Sequence, residues 1–304
     1  MTRAQKTILL TNILITATSS IGARLSMGMM DPIPFAVLTL ALASVPLLAG
    51  EIQRGRISLL WSGGRLWPFL ALGLFGTALP SLLLFYAGKT VPASRIVVLA
   101  QVEILISMAT GAIFLNEKIG RRKWGATALI LTGMLIALGA GAVTSLGRGE
   151  LLILAMPPCF QLSHIFGKKL LPEMGVSLVA GGRTLYGMLI LLPLIPFFVP
   201  AESWSRCLTP PALSLILFQG LITTGLSLWL WYTSLAELDL SKLTTLLLTY
   251  PLVTLFLSRI LPFLNEPVGP GQFFGAALVL AGGALMSKLP SQEARPLTPA
   301  AIID

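Results

Sequence analysis

Ten apolar runs of roughly 20 residues follow one another along the chain, at 7–28, 33–50, 67–86, 94–115, 124–143, 150–167, 176–199, 211–234, 241–262 and 272–289. Runs of this length match the hydrocarbon core of a bilayer. Inside hydrocarbon every backbone N–H and C=O must be satisfied within the protein, which leaves only helices or a closed barrel. A barrel would show short alternating segments, whereas these runs are continuous and interspersed with Gly and Pro. The sequence therefore predicts an all-α integral membrane protein with ten transmembrane helices. Composition agrees: 55% hydrophobic residues, 11% charged residues and a mean hydropathy of +0.86 leave too little polar surface to cover a globule in water. The N-terminal MTRAQK ahead of an apolar run resembles a secretory leader, but Asn12, Thr16, Ser19 and Ser20 interrupt that run and no small-residue cleavage site follows. It is read as the first span.

An internal repeat organises these spans. FLNEKIG at 114–120 leads into GATALILTGMLI from 125, and FLNEPVG at 263–269 leads into GAALVLAGGALM from 275, about half the chain later. Two five-helix halves are expected, 1–146 and 147–304, the second ending in a short cytoplasmic tail. Five spans is an odd number, so the second half enters the membrane with opposite polarity and the repeat is inverted. This design recurs in carriers, where two near-equivalent halves expose one midplane site to each side in turn.

Orientation is read from Lys and Arg in the short loops, which concentrate on the cytoplasmic face. With the N-terminus inside, Arg3, Lys6, Arg54, Arg56, Arg65, Lys118, Arg121, Arg122, Lys123, Lys168, Lys169, Lys242, Lys288 and Arg295 are cytoplasmic. The outer set, Arg24, Lys89, Arg95, Arg148, Arg206 and Arg259, is smaller. Both termini are expected in the cytoplasm of a bacterial inner membrane. The net charge of +9 follows from this asymmetry, with the anionic inner leaflet as its partner, so no nucleic acid is invoked. Cys159 and Cys207 form no disulfide framework or metal spacing, and one histidine makes no familiar metal site. No phosphate-cradling loop or ATP motif occurs. An integral-membrane enzyme, a cofactor and an ATPase subunit are therefore not expected. A secondary carrier of a small molecule is favoured, with a non-transporting scaffold or receptor as the alternative.

The segments FGTALPSLLLFYAGKTVPASR at 75–95 and ITTGLSLWLWYTSLAELDLSK at 222–242 precede the two signatures, and Pro251 lies in the ninth span. Tyr86 and Tyr232, and the pairs Ser94-Arg95 and Ser241-Lys242, fall at corresponding places in the halves. With the two Asn-Glu joints, these features resemble the EamA-type ten-helix permeases of the drug/metabolite transporter superfamily over nearly the whole chain. The resemblance implies movement of a small organic molecule across the cytoplasmic membrane, commonly outward. It leaves the cargo unspecified. Similar permeases carry a proline in the fourth span at the place equivalent to Pro251. Here that place is Val102, beside Glu103.

Glu103 lies near the middle of its apolar span, where an acidic side chain costs roughly 3 kcal/mol and should face a cavity or a partner. It either couples protons or binds a cationic group, or it glues helices together as a protonated hydrogen-bonding group. Ser107 and Thr110 continue the same helical face. Comparable stripes are Asn12, Thr16 and Ser19 on the first span, Gln161 and His164 on the sixth with Lys168 beyond, Gln219, Thr223 and Ser227 on the eighth, and Thr245 and Thr249 before Tyr250 on the ninth. Such groups on several spans predict a polar central cavity, although each stripe alone is also compatible with helix packing. His164 titrates near neutral pH and could take part in proton coupling, or it sits neutral near the cytoplasmic helix end. Arg183 either pairs with a carboxylate or snorkels toward the cytoplasmic headgroups, and snorkelling is favoured. Trp229, Trp231 and Tyr232 read as an interfacial belt, with a cavity wall as the alternative. Glu117 and Glu266 are expected on opposite faces, each capping the helix that follows it. Gly133, Ala137 and Gly141, and the pair Gly271 and Gly275, are close-packing seams that make the fifth and tenth spans scaffold or interface helices. A homodimer through such a seam is compatible with the sequence.

Overall fold

The computed structural model describes residues 1–27, 29–88, 90–91, 99–100, 102–138, 146–260 and 270–290. Helix is the only regular structure among them. The first half contains α1 (Arg3–Met27), α2 (Pro32–Gln53), α3 (Leu66–Gly73), a π-helical segment (Leu74–Ala78), α4 (Leu79–Gly88), α5 (Val102–Phe114) and α6 (Arg121–Leu138). The second contains α7 (Arg148–Met174), α8 (Val176–Leu191), the short helices α9 (Ile195–Phe198) and α10 (Glu202–Cys207), α11 (Pro210–Leu217), a π-helical segment (Phe218–Leu226), α12 (Ser227–Glu237), α13 (Leu240–Leu247), α14 (Tyr250–Ile260) and α15 (Pro270–Lys288). Among the described residues, four continuous stretches, Pro32–Gln53, Leu66–Leu84, Val176–Phe198 and Pro210–Glu237, are long and apolar enough to cross a membrane.

Two departures from uninterrupted spans matter for the interior. The expected third and eighth spans each contain a π-helical stretch, at Leu74–Ala78 and Phe218–Leu226. These fall where FGTAL and ITTGL correspond in the repeat, and wide turns of this kind are frequent at functional sites. The expected ninth span is broken between α13 and α14, because Pro251 has no N–H to continue the ladder and starts a new helix instead.

α6 and α15 lie against each other with their backbones in close approach. A methyl group on Gly133 would come within 2.6 Å of the Gly275 carbonyl oxygen, and one on Gly282 within 2.8 Å of the Ala126 carbonyl oxygen. Ala137 packs on Gly275 as well. Gly271 belongs to this seam only at its margin: it is exposed, and a methyl there would come no closer than 3.9 Å to the Ile136 carbonyl oxygen, so the expected Gly271–Gly275 pair acts through one member. Gly141 lies outside the described residues. The other long helices surround the interior: α1 packs on α12 and α14, α2 on α8 and the second π segment, α4 on α7, and α5 on α7 and α13.

One end of the bundle gathers basic loops. Arg56 pairs with Glu51 at 3.3 Å and donates to the Met174 carbonyl at 2.9 Å, and Arg65 pairs with Glu173 at 3.3 Å. Lys168 and Lys123 reach Glu117 at the same end.

Candidate functional site: a polar central cavity

A cavity of about 430 Å³ lies between the halves. α1 contributes Asn12, Thr16 and Ser19; α2 contributes Thr39; the first π segment and α4 contribute Gly76, Thr77 and Ser81. α5 contributes Glu103, α7 Phe160 and His164, and α8 Arg183 and Thr184. Thr223, Thr224, Ser227 and Trp231 come from the second π segment and α12, Thr244 from α13 and Tyr250 from α14. α6 and α15 supply no lining residue.

Several expected site residues therefore meet at the cavity: Asn12, Thr16, Ser19, Glu103, His164, Thr223, Ser227 and Tyr250. Others do not line it, and the helical faces explain why. Gln161 stands behind Glu103, its Nε2 donating to Oε1 at 3.0 Å. Thr110 is behind Gln161 and donates to the Ile106 carbonyl at 2.9 Å. Ser107 is fully buried with no partner among the described residues. Gln219 supports the wall, donating to the Ser19 carbonyl at 3.3 Å and accepting from Thr223. Thr245 and Thr249 are turned to their own helix, donating to the carbonyls of Ser241 at 2.6 Å and Leu246 at 2.7 Å, and Thr244 takes the lining position.

Three expectations are corrected. Arg183 does not snorkel: it is 6% exposed and borders the cavity. Its Nε donates to Thr77 Oγ1 at 3.3 Å, Nη1 to the Tyr232 hydroxyl at 3.4 Å, and Nη2 to the Gly76 carbonyl. Polar acceptors from two other helices hold the guanidinium inside, which removes the reason to seek headgroups. The Gly76 carbonyl is open to it because Pro80, four residues later, has no N–H to donate in the helical ladder. Glycine at 76 is also a spatial requirement, since a methyl there would lie 2.6 Å from Arg183 Nε.

The second correction concerns the aromatics. Tyr232 is fully buried and Trp231 nearly so, forming cavity wall and core, while only Trp229 of the three stays exposed. Tyr86, in the first half, is exposed. His164 lies against Trp231 with ring centroids 4.5 Å apart, in the interior rather than near a helix end.

Glu117 supplies the third. It caps a helix of the other half, not the one that follows it. Its Oε1 accepts the Leu240 N–H at 2.6 Å, and its Oε2 accepts the Ser241 N–H at 3.2 Å and the Ser241 hydroxyl, at the first turn of α13. A left-handed Asn116, φ 53°, turns the chain, and the Glu117 N–H returns to the Gly111 carbonyl at 2.9 Å. Gly111 leaves room for the carboxylate, whose Oε2 would be 2.6 Å from a methyl there. Lys123 at 3.4 Å and Lys168 at 3.7 Å neutralise it, and Lys123 also reaches Asp239 at 3.5 Å. The apolar cluster that includes Leu9, Ile13, Leu170, Leu235, Leu238 and Leu243 extends from Trp231 to Leu240, beside this network. Glu266 and its joint lie outside the described residues. Pro251 is buried at the start of α14. Cys159 and Cys207 are unlinked.

The fold and interior are those of a helical membrane protein with a polar chamber between its halves. The chain belongs to the EamA-like transporter family, whose model matches residues 7–139 and 147–288. It is 25% identical over 257 residues to the uncharacterized transporter YoaV of Bacillus subtilis, covering 83% of this chain and 85% of that one. It is 25% identical over 262 residues to a probable terminal-alkyne amino-acid exporter of Streptantibioticus cattleyicolor, covering 85% and 86%. An uncharacterized transporter of Archaeoglobus fulgidus is 27% identical over 266 residues, covering 84% and 89%. A solved crystal structure of a protein 18% identical in sequence superposes with a TM-score of 0.74, covering 94% of this chain and 96% of that one, which supports the fold. Membership of the drug/metabolite transporter superfamily follows, and the family points to a membrane transporter rather than an enzyme.

Sequence reasoning missed Arg183, Thr77 and Thr244 as lining residues, and held a place in the cavity wall for Trp231 only as the alternative to an interfacial belt. For Arg183 a signal was present: Pro80 frees the Gly76 carbonyl in another span, an acceptor that only tertiary contact could assign.

Proposed function

We propose that the chain is a secondary transporter that exports a small organic metabolite across the bacterial cytoplasmic membrane by alternating access. The observation that carries this reading is the chamber lined by helices of both halves, with one carboxylate, Glu103, and one guanidinium, Arg183, on its wall. A volume of about 430 Å³ suits a small molecule held by a few placed polar groups. The topology proposed is ten spans in two inverted halves, 1–146 and 147–304, with both termini cytoplasmic; the recurrence of π segments at corresponding places supports it. The Glu117 network and the apolar cluster beside it form the cytoplasmic gate, closed here. Outward direction draws support from the relative described as a probable amino-acid exporter. Glu103 offers a second reading, proton-coupled antiport, favoured by its single neutral partner Gln161 in an apolar span.

Two measurements test the proposal. Purified protein in liposomes, screened with labelled amino acids, nucleobases and cationic dyes at two pH values, should move at least one class; a properly inserted protein that moves none refutes transport of these solutes. In a background lacking Cys159 and Cys207, Lys118→Cys should react with an impermeant maleimide from the cytoplasmic side and Pro267→Cys from the outer side. Reaction of both from one side sinks the inverted topology.

A further inference from the structure

We propose that a pocket at the Glu117 end of the bundle, apart from the central cavity, binds a phosphate group, carried by an anionic lipid headgroup or free in solution. This inference does not depend on the transporter reading. The pocket has a volume of about 260 Å³ and lies where the joint between α5 and α6, the start of α13 and the end of α15 meet. Lys118, Arg122, Lys123 and Lys242 line it, against one lining carboxylate, Asp239. Basic loops at this end need no site of their own, because charge asymmetry across a bilayer already explains them. What sets these four apart is that they converge on one cavity and that two of them are withdrawn from solvent: Lys123 is 6% exposed and Lys242 1%.

Positive charge is in surplus here. Lys123 is held between Glu117 at 3.4 Å and Asp239 at 3.5 Å, Lys168 reaches Glu117 at 3.7 Å, and Lys242 donates to the Leu289 carbonyl. Lys118 and Arg122 pair with no carboxylate among the described residues. The start of α6 adds to the excess. Its first turn reads Arg121-Arg122-Lys123 with no acidic residue, at the end of an 18-residue helix where the backbone dipole is itself positive. Gly120 precedes that turn and borders the pocket, and it has no side-chain oxygen to accept the first N–H groups. Cations gathered on a positive helix end repel one another unless an anion lies among them. A phosphate supplies that charge together with several acceptors for guanidinium, ammonium and backbone donors. Met286, Leu289 and Pro290 make the remaining wall apolar, and a cationic wall beside an apolar one favours a lipid, with its phosphate among the cations and its glycerol and first methylenes on the apolar side. A phosphate seated there would join α6, α13 and α15 beside Glu117.

The test uses purified full-length protein, stripped of lipid in a neutral detergent, and reads its thermal unfolding midpoint against ligand concentration, which yields an apparent Kd. The probes are dioctanoyl phosphatidylglycerol, dioctanoyl phosphatidylcholine and inorganic phosphate. Phosphatidylglycerol should raise the midpoint and phosphatidylcholine should not. Combining Lys118→Gln with Arg122→Gln should weaken phosphatidylglycerol binding about 30-fold, the factor for removing two basic residues from an anionic headgroup. Both side chains are exposed, and if the double variant nevertheless fails to fold, Arg122→Gln alone should weaken binding about fivefold. Combining Arg3→Gln with Lys6→Gln removes the same charge from exposed positions outside the pocket and should leave binding unchanged. A response to inorganic phosphate that the Lys118 and Arg122 substitutions remove, with no response to the lipid, assigns the site to free phosphate; a response to phosphatidylglycerol that they remove assigns it to lipid. Equal response to the two lipids, equal weakening by the Arg3 and Lys6 substitutions, or no response to either anion overturns the proposal.

Discussion

Glu117→Gln tests whether the network at the closed end holds the cavity shut. The carboxylate is 4% exposed and Lys123 is 8% exposed, so solvent screens this pair little. In the variant, one oxygen becomes an NH2 group that faces the Ser241 N–H and the Lys123 ammonium, donor against donors. Loss of the capping bonds at Leu240 and Ser241 costs about 0.5–2 kcal/mol. Breaking a buried charge pair costs about 3–5 kcal/mol, reduced here because Lys123 keeps Asp239 at 3.5 Å. A net of roughly 3 kcal/mol against the closed state is more than a hundredfold in the gate equilibrium. The assay is the rate at which an impermeant maleimide, applied from the Glu117 side to inside-out vesicles, modifies Thr16→Cys in a background lacking Cys159 and Cys207. The rate should rise at least about tenfold, since every 1.4 kcal/mol of that net is one decade. An unchanged rate in a well-folded variant would refute the latch, because a cap binding α13 equally in both gate states shifts nothing.

Gly76→Ala should lower transport strongly, because its methyl would run into Ser163 Oγ, lie 2.6 Å from Arg183 Nε and displace the guanidinium; wild-type uptake would deny that Arg183 acts from this position. Gly133→Val should destabilise the protein by about 1–3 kcal/mol through overpacking against Gly275, read as lowered thermal stability in detergent, with substrate preference retained. Thr16→Trp and Thr223→Trp should block transport in protein that reaches the membrane, whereas Ser107→Trp should fail to accumulate, since Ser107 is fully buried away from the cavity; normal expression of the Ser107 variant would refute that placement.

The polar stripes announced an interior chamber, and half-residue accuracy on helical faces decided who reached it. Asn12, Thr16 and Ser19 share a face that the sequence period places correctly, because α1 is unbroken over that stretch. Thr245 and Thr249 were legible as polar but not as turned away. The break at Pro251 and the first turn of α13, fixed by Glu117 from the other half, rotate Thr244 inward instead. The π segments shift the helical faces around Leu74–Ala78 and Phe218–Leu226 in the same manner, bringing in Thr77 and Trp231.

Composition and the length of its apolar runs were enough to determine that this chain is helical and membrane-embedded, because hydrocarbon forbids unsatisfied backbone and the runs are too long and continuous for barrel strands. Its repeat was written in the two Asn-Glu joints, and the residue that ends the fourth span, Asn116, tolerates the left-handed turn found there. What only the tertiary structure decided is which partner each polar group takes. Arg183 could reach lipid headgroups or protein acceptors at similar sequence cost. The choice was made by Pro80, Gly76, Thr77 and Tyr232, which lie far from it along the chain and meet it only when the helices pack. Glu117 likewise caps α13 across the two halves, because the free N–H groups of that helix come to it in space and those of the helix next in sequence do not.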